Sequence, residues 1–139
     1  MTLSTMGNLL LVLASVSAIG SIVSMAVGGR DGVNARKLGH ILTFGVLGFV
    51  TLAITLLAVA FLTENWGLQY VIYNHPTITG PWAWLYRLSG VWAGREGSLL
   101  FWEWVLAIYA AFIAGKFLKS DSRLGGVGLA LVNFVQLFF

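Results

Sequence analysis

Residues 41 to 62, ILTFGVLGFVTLAITLLAVAFL, hold 22 positions without one charged side chain. About 20 apolar residues in helical form cross the hydrocarbon core of a bilayer, and helices are one of only two backbone arrangements that satisfy their own hydrogen bonds there. This run therefore fixes the kind of protein before anything else does. Composition agrees: 58% of the 139 residues are hydrophobic, 9% are charged, and mean hydropathy is +0.88. Soluble domains carry about 25% charged residues. The reading is an all-α integral membrane protein, taken as a single membrane domain over residues 1–139.

Two more runs have the length to span. Residues 7–27 form the first, after an N-terminus, MTLSTMGN, that lacks a basic residue. A cleaved signal peptide needs a positive start, so this run reads as a retained helix. Gly20, Ser24 and Gly28 follow one another at four-residue spacing, a stripe that lets a second helix approach closely. Gly45 and Gly48 suggest the same in the second span. Residues 98–117 form the third span. A last apolar run, 124–139, has 16 residues and looks like a truncated fourth helix.

The basic residues orient these spans. Six of the eight Lys and Arg lie in the short connections after spans one and three: Arg30, Arg36, Lys37, Lys116, Lys119 and Arg123. Short basic loops stay in the cytoplasm. The expected N-terminus is therefore external, and so is the segment 63–97, on the periplasmic or outer face of the cytoplasmic membrane. The net charge of +3 has that topological explanation and does not point to nucleic acid. With no Cys, the chain has no disulfide framework and no thiolate chemistry.

Segment 63–97 is unlike an ordinary loop. It holds both prolines, four of six tryptophans and three of four tyrosines. Within it, PWAWLYRLSGVW predicts a short helix starting at Pro81, with Trp84, Leu88 and Trp92 on one face near the lipid headgroups. Two readings of these aromatics stand side by side: an interfacial belt, or a flat platform for a planar apolar ligand such as a porphyrin.

Charge gathers at GVWAGREGSLLFWEW, residues 90–104. Ser98 is placed to cap the third span. Glu96 suits the positive end of that helix, and Gly94 and Gly97 permit a tight turn. Glu103 lies about 7–8 Å below Ser98 if the helix begins there. Such a carboxylate is either functional or within reach of water and Arg95. The two histidines are His40, at the inner end of span two, and His75, in the external segment. A lone histidine is a weak pointer to metal or haem ligation. Nothing in the sequence forms a metal cluster or marks a catalytic residue.

The run YRLSGVWAGREGSLLFW, Tyr86 to Trp102, resembles the segment before the third membrane helix of the CcmF family, the haem lyase subunit of system I cytochrome c maturation. The likeness rests on Tyr86, Trp92, Gly94, Glu96, Gly97, Ser98, Leu99, Leu100 and Trp102, with Arg87 at a Lys-like position and with Tyr70 and Val71 upstream. Arg95 stands where the family often has His, and Glu103 where an apolar residue is usual. The family's WWD segment and haem-ligating histidines lie beyond the matched region.

The resemblance implies a membrane subunit that helps present or transfer haem for covalent attachment to apocytochrome c. Haem is the implied cofactor. A haem chaperone, apocytochrome c and a WWD-bearing other half of the lyase are the implied partners, alongside membrane lipid. It makes Trp82, Trp84, Arg87, Trp92, Arg95, Glu96 and Ser98 the candidate contacts with haem or partner, and His75 and Glu103 weaker ones. Arg87 or Arg95 would pair with a haem propionate. Two other functions remain open: a small proton- or ion-path subunit of a respiratory complex built on Glu103, and a structural membrane scaffold.

Overall fold

A computed structural model of the chain describes residues 2–28, 32–118 and 123–139, the Arg123 side chain excepted. Arg30, Asp31 and Lys119, on which part of the orientation argument rests, lie outside the described residues, as does the side chain of Arg123.

Four long helices carry the fold: α1 (Leu3–Val27), α2 (Val33–Leu62), α5 (Arg95–Phe117) and α6 (Arg123–Gln136). Two short ones, α3 (Gln69–Asn74) and α4 (Ala83–Ser89), lie between α2 and α5, followed by a 3₁₀ turn at Gly90–Trp92. Helices α1, α2 and α5 are long and apolar enough to cross a membrane. Helix α6 has 14 residues, about 21 Å at 1.5 Å per residue, the shorter fourth helix that the sequence leads one to expect.

The long helices close into a ring. Each of α1·α2, α2·α5, α5·α6 and α6·α1 is a packed pair. The side of α1 that turns inward is Ala14, Ser17, Ala18, Ser21 and Met25, positions that recur at three- and four-residue spacing and share one helix face. They meet Val46 and Val50 of α2 and Ala107 of α5 in one cluster, and Ala110, Ala114 and Leu129 in a second. Small side chains dominate, which is how membrane helices pack where lipid supplies no hydrophobic drive between them. Outward positions are apolar as well: Val16 is 60% exposed and Phe112 71%. Such residues belong against lipid.

The glycine expectations divide. A Cβ on Gly20 would sit 3.0 Å from the Leu42 side chain, and one on Gly45 would touch Ser17 of α1, so both mark helix contacts. Gly48 has nothing within 4 Å and marks none.

Two local expectations need correction. The external helix starts at Ala83, not Pro81, and ends at Ser89, where the chain tightens into the 3₁₀ turn. Trp84, Leu88 and Trp92 therefore share no continuous helical face: Leu88 packs inward and Trp84 is 52% exposed. The third span begins at Arg95, with Gly94 at its N-cap position and no side-chain cap. Ser98 is already inside the helix, its N–H donating to Gly94 O at 3.0 Å. Glu103 then lies eight residues, about 12 Å, from Arg95 along the helix.

Candidate functional site

The outer end of the bundle is organised around Tyr70. Helix α3 holds its ring over the turn that leads into α5. The Tyr70 hydroxyl donates to Val91 O at 3.2 Å and accepts from the Gly94 N–H at 3.0 Å. The second bond satisfies an N–H at the start of α5, where no side-chain cap bonds the helix. The ring also meets Phe61 edge-on, with centroids 5.8 Å apart. Phe61, Val71 and Val91 are buried beneath it.

Two glycines make this approach possible. A Cβ on Gly97 would overlap both the Val91 carbonyl oxygen and the Tyr70 hydroxyl. A Cβ on Gly94 would lie 2.8 Å from the Tyr70 ring and from Asn74 Oδ1. Both positions need a residue without a side chain because another group already fills the space.

Arg87 forms an ion pair with Glu64 at 2.5 Å, tying α4 to the turn after α2. Glu64 has φ of 52°, a strained conformation for a residue with a side chain, and that turn aims its carboxylate at Arg87. Arg87 is thus engaged within the chain through one of its guanidinium nitrogens. Arg95 is 85% exposed and lies 3.6 Å from the similarly superficial Glu96, a pairing worth little in water. His75 is inserted between rings, stacked on Phe61 at 6.4 Å and edge-on to Trp66 at 4.9 Å. Its Nε2 is buried without a hydrogen-bond partner.

The tryptophans other than Trp104 face outward. Trp82 is 65% exposed, and Trp84 and Trp92 are close to half exposed, as are Trp66 and Tyr86. Trp92 heads an aromatic ladder through Phe101 to Trp104, with ring centroids 5.9 and 6.1 Å apart. Trp104 Nε1 donates to Thr51 Oγ1 at 3.0 Å, which fixes the ladder to α2. The segment therefore has a buried side built on Tyr70 and an exposed aromatic side.

Below the outer surface, a cavity of about 320 Å³ opens between α1, α5 and α6. Aliphatic side chains line most of it, with Glu96 at one part of the wall and Glu103 and Gln136 at another. Glu96 and Leu100 also line an adjoining hollow of about 570 Å³ under Tyr70 and Tyr73. Glu103 is 7% exposed and Gln136 5%. The Gln136 carboxamide lies beside the Glu103 carboxyl. Even so, Glu103 Oε2 and both polar atoms of Gln136 complete no hydrogen bond of normal geometry. The structure thus places Glu103 inside the bundle, on the cavity wall, while Arg95 pairs with Glu96 at the surface.

Deeper still, Ser21 of α1, Thr43 of α2 and Asn133 of α6 meet at the centre. The two hydroxyls are 2.9 Å apart, and Asn133 Nδ2 donates to Thr43 Oγ1 at 3.0 Å and to Ser21 Oγ at 3.3 Å. Sequence reasoning passed over this cluster and Gln136. Asn133 and Gln136 interrupt the apolar run LALVNFVQLFF at three-residue spacing, the same mark that drew notice to Glu103.

Comparison with known proteins agrees with the motif. The chain is 30% identical over 139 residues to the cytochrome c-type biogenesis protein CcmF of Haemophilus influenzae, an alignment that covers 96% of this chain and 21% of that protein. It is 29% identical over 138 residues to the cytochrome c-type biogenesis protein ccl1 of Rhodobacter capsulatus, covering 93% of this chain and 21% of that one. The chain corresponds to the N-terminal portion of the CcmF family. It spans about one fifth of the length of these relatives. The cytochrome c-type biogenesis protein NrfE of H. influenzae is 30% identical over 109 residues, 76% of this chain. No family model matches the sequence, and no solved structure does.

Among the residues that carry the CcmF likeness, two groups stand out. Tyr70, Val71, Gly94 and Gly97 form the close-packed side of the outer segment. Tyr86, Trp92, Glu96 and Trp102 are exposed. Haem, which the CcmF likeness implies, finds only part of what it needs here. The aromatic face suits stacking. The described residues contain no group of three or more metal-binding side chains. His40 lies near the start of α2 and His75 beyond its far end. The helical stretch from His40 to Leu62 alone spans about 33 Å, so the two imidazoles do not reach one iron. These two residues do not make a bis-histidine site.

Proposed function

We propose that this chain acts in cytochrome c maturation, as the membrane-embedded part of a CcmF-type assembly that helps present haem for attachment to apocytochrome c. The similarity to CcmF over 96% of the chain carries the reading. In it, segment 63–97 lies on the periplasmic or external face of the cytoplasmic membrane, as the basic residues Arg36, Lys37 and Lys116 at the other end favour. Trp82, Trp84, Trp92, Arg95 and Glu96 form the surface that meets haem, its chaperone or apocytochrome c. Ser98, one turn into α5 and half-buried, lies at the edge of that surface. The axial ligands come from a WWD-bearing partner half, and this chain contributes the platform and the helices under it.

Disrupting the gene in its native host tests this directly. Covalent haem on c-type cytochromes, read by haem-stained gels of membrane fractions, should fall and return on complementation. Normal levels of c-type cytochromes in the disrupted strain would refute the role. Haem bound one-to-one by the purified chain without a partner would refute the platform-only part of it.

The burial of Glu103 favours one second reading, a proton- or ion-path subunit. On that reading Glu103→Gln stops coupled proton movement in proteoliposomes and leaves cytochrome c formation intact.

A further inference from the structure

We infer that the cavity between α1, α5 and α6 receives a Lys or Arg side chain carried by a membrane helix from the part of the CcmF-type assembly that this chain does not span. The inference rests on the function proposed above and adds a specific contact to it. Three observations lead there.

Glu103 and Gln136 are both more than nine-tenths buried and both line the cavity; they lie side by side, yet three of their four terminal polar atoms complete no hydrogen bond of normal geometry. A buried polar group without a partner costs free energy, and a buried carboxylate without one costs far more. Among the described residues, no arginine of the chain stands in for the partner. Arg87 is engaged by Glu64, and Arg95 lies out in solvent beside Glu96. Arg36 donates to Gly28 O at the opposite end of α2.

The occupant's form follows from depth. Glu103 lies about 12 Å along α5 from its outer end, where backbone facing lipid must be helical. A cation reaching this level therefore arrives on a helix, with its aliphatic stem along Leu99, Leu100 and Val50 and its charge on Glu103. The Gln136 carboxamide oxygen is free to accept a second hydrogen bond from the same group.

The length relation supplies the source. The chain covers 21% of the CcmF proteins it resembles, so about four-fifths of their length lies outside it.

The test uses the chain with its WWD-bearing half in native membranes. A photoreactive phenylalanine at Leu99 or Leu137, both on the cavity wall, should crosslink to one peptide of that half. The peptide should be apolar and carry a Lys or Arg within one helical turn of the link. Glu103→Gln, which keeps shape and removes charge, should lower co-purification of the two halves about tenfold or more, as expected when one member of a buried ion pair is lost. Replacing the crosslinked cation by Gln should do the same, and exchanging the charges between the two sites should restore recovery.

Three outcomes each overturn the inference: links to lipid alone, a linked peptide without a basic residue, or undiminished recovery of the Glu103→Gln complex. Membrane abundance of each variant separates lost assembly from misfolding. A strain that makes c-type cytochromes without this chain sinks the proposed function. A strain that needs the chain but tolerates Glu103→Gln, with recovery intact, sinks only the contact.

Discussion

The outer turn around Tyr70 and the interior around Glu103 treat polar groups in opposite ways. At the outer turn, each close approach has a physical cause. Tyr70 satisfies Gly94 N and Val91 O, and Gly94 and Gly97 leave room for its ring. In the interior, Glu103, Gln136 and the Asn133 carbonyl oxygen keep polar atoms without partners. The bonds around Tyr70 itself are completed by this chain alone. The interior is arranged as if something else completes it. The contrast also separates two things that the motif had joined: its glycines are explained by packing, whereas its most unusual charge is not.

The sharpest way to break this comparison is at Gly97. Gly97→Ala forces a Cβ into the Val91 carbonyl and the Tyr70 hydroxyl. Overpacking at a site walled by backbone costs about 3 kcal/mol or more. The variant should fail to accumulate in membranes, or should melt far below the parent in detergent by fluorescence-detected size-exclusion chromatography. Gly48→Ala is the control. It meets nothing within 4 Å and should hold or gain about 0.5–1 kcal/mol from helix propensity. Equal behaviour of the two variants would remove the packing account of the motif.

Tyr70→Phe keeps the ring and removes the hydroxyl. It leaves the Gly94 N–H and the Val91 carbonyl without their shared partner, at a cost of about 1–3 kcal/mol. Amide exchange at Gly94 should quicken. A melting temperature equal to the parent's would show that water replaces the hydroxyl, and that this region is less complete than its geometry suggests.

Asn133→Ala probes the interior from the finished side of its polar cluster. The loss of bonds to Ser21 and Thr43 should cost about 1 kcal/mol, the usual scale for hydrogen bonds between membrane helices. The expected drop is smaller than at Gly97 although Asn133 is wholly buried. A drop larger than that of Gly97→Ala would place the bundle's stability in its polar centre and reverse the order of the two regions.

These effects also show what the sequence could and could not reveal. Uninterrupted apolar runs are a strong, local and length-calibrated mark, so the three spans and the shorter fourth helix could be read directly from composition. The start of α5 could not. Ser98 has good capping chemistry, but the Tyr70 hydroxyl, 24 positions before Gly94 in the chain, serves an N–H at Gly94 and lets the helix begin earlier. Arg87 had the character of a propionate partner, yet its use by Glu64 depends on a backbone turn with positive φ that sequence pattern does not announce. The resemblance to CcmF marked the right stretch. It did not separate residues that pack from residues that face outward, because both kinds occur within a few positions of each other.

The exposed tryptophans give the smallest expected effect on stability and the most direct test of what the outer face is for. Trp82 and Trp84 are 65% and 52% exposed, and neither lies in a buried cluster. Trp82→Ala with Trp84→Ala should leave the melting temperature within the range of ordinary surface changes, about 0.5 kcal/mol. If these rings only sit in the interface as a belt, cytochrome c formation is unchanged as well. If they form the platform, the double variant should lower covalent haem on c-type cytochromes while membrane levels of the chain stay constant, and Trp→Phe at both sites should recover part of the loss because stacking needs an aromatic face. Trp92→Ala is the contrasting case. Its ring begins the ladder to Phe101 and Trp104, so it should lower stability and haem attachment together. A double Trp82/Trp84 variant that destabilises the fold as Trp92→Ala does would mean that the outer face is part of the packing after all, and the division between a structural side and a presenting side would fail.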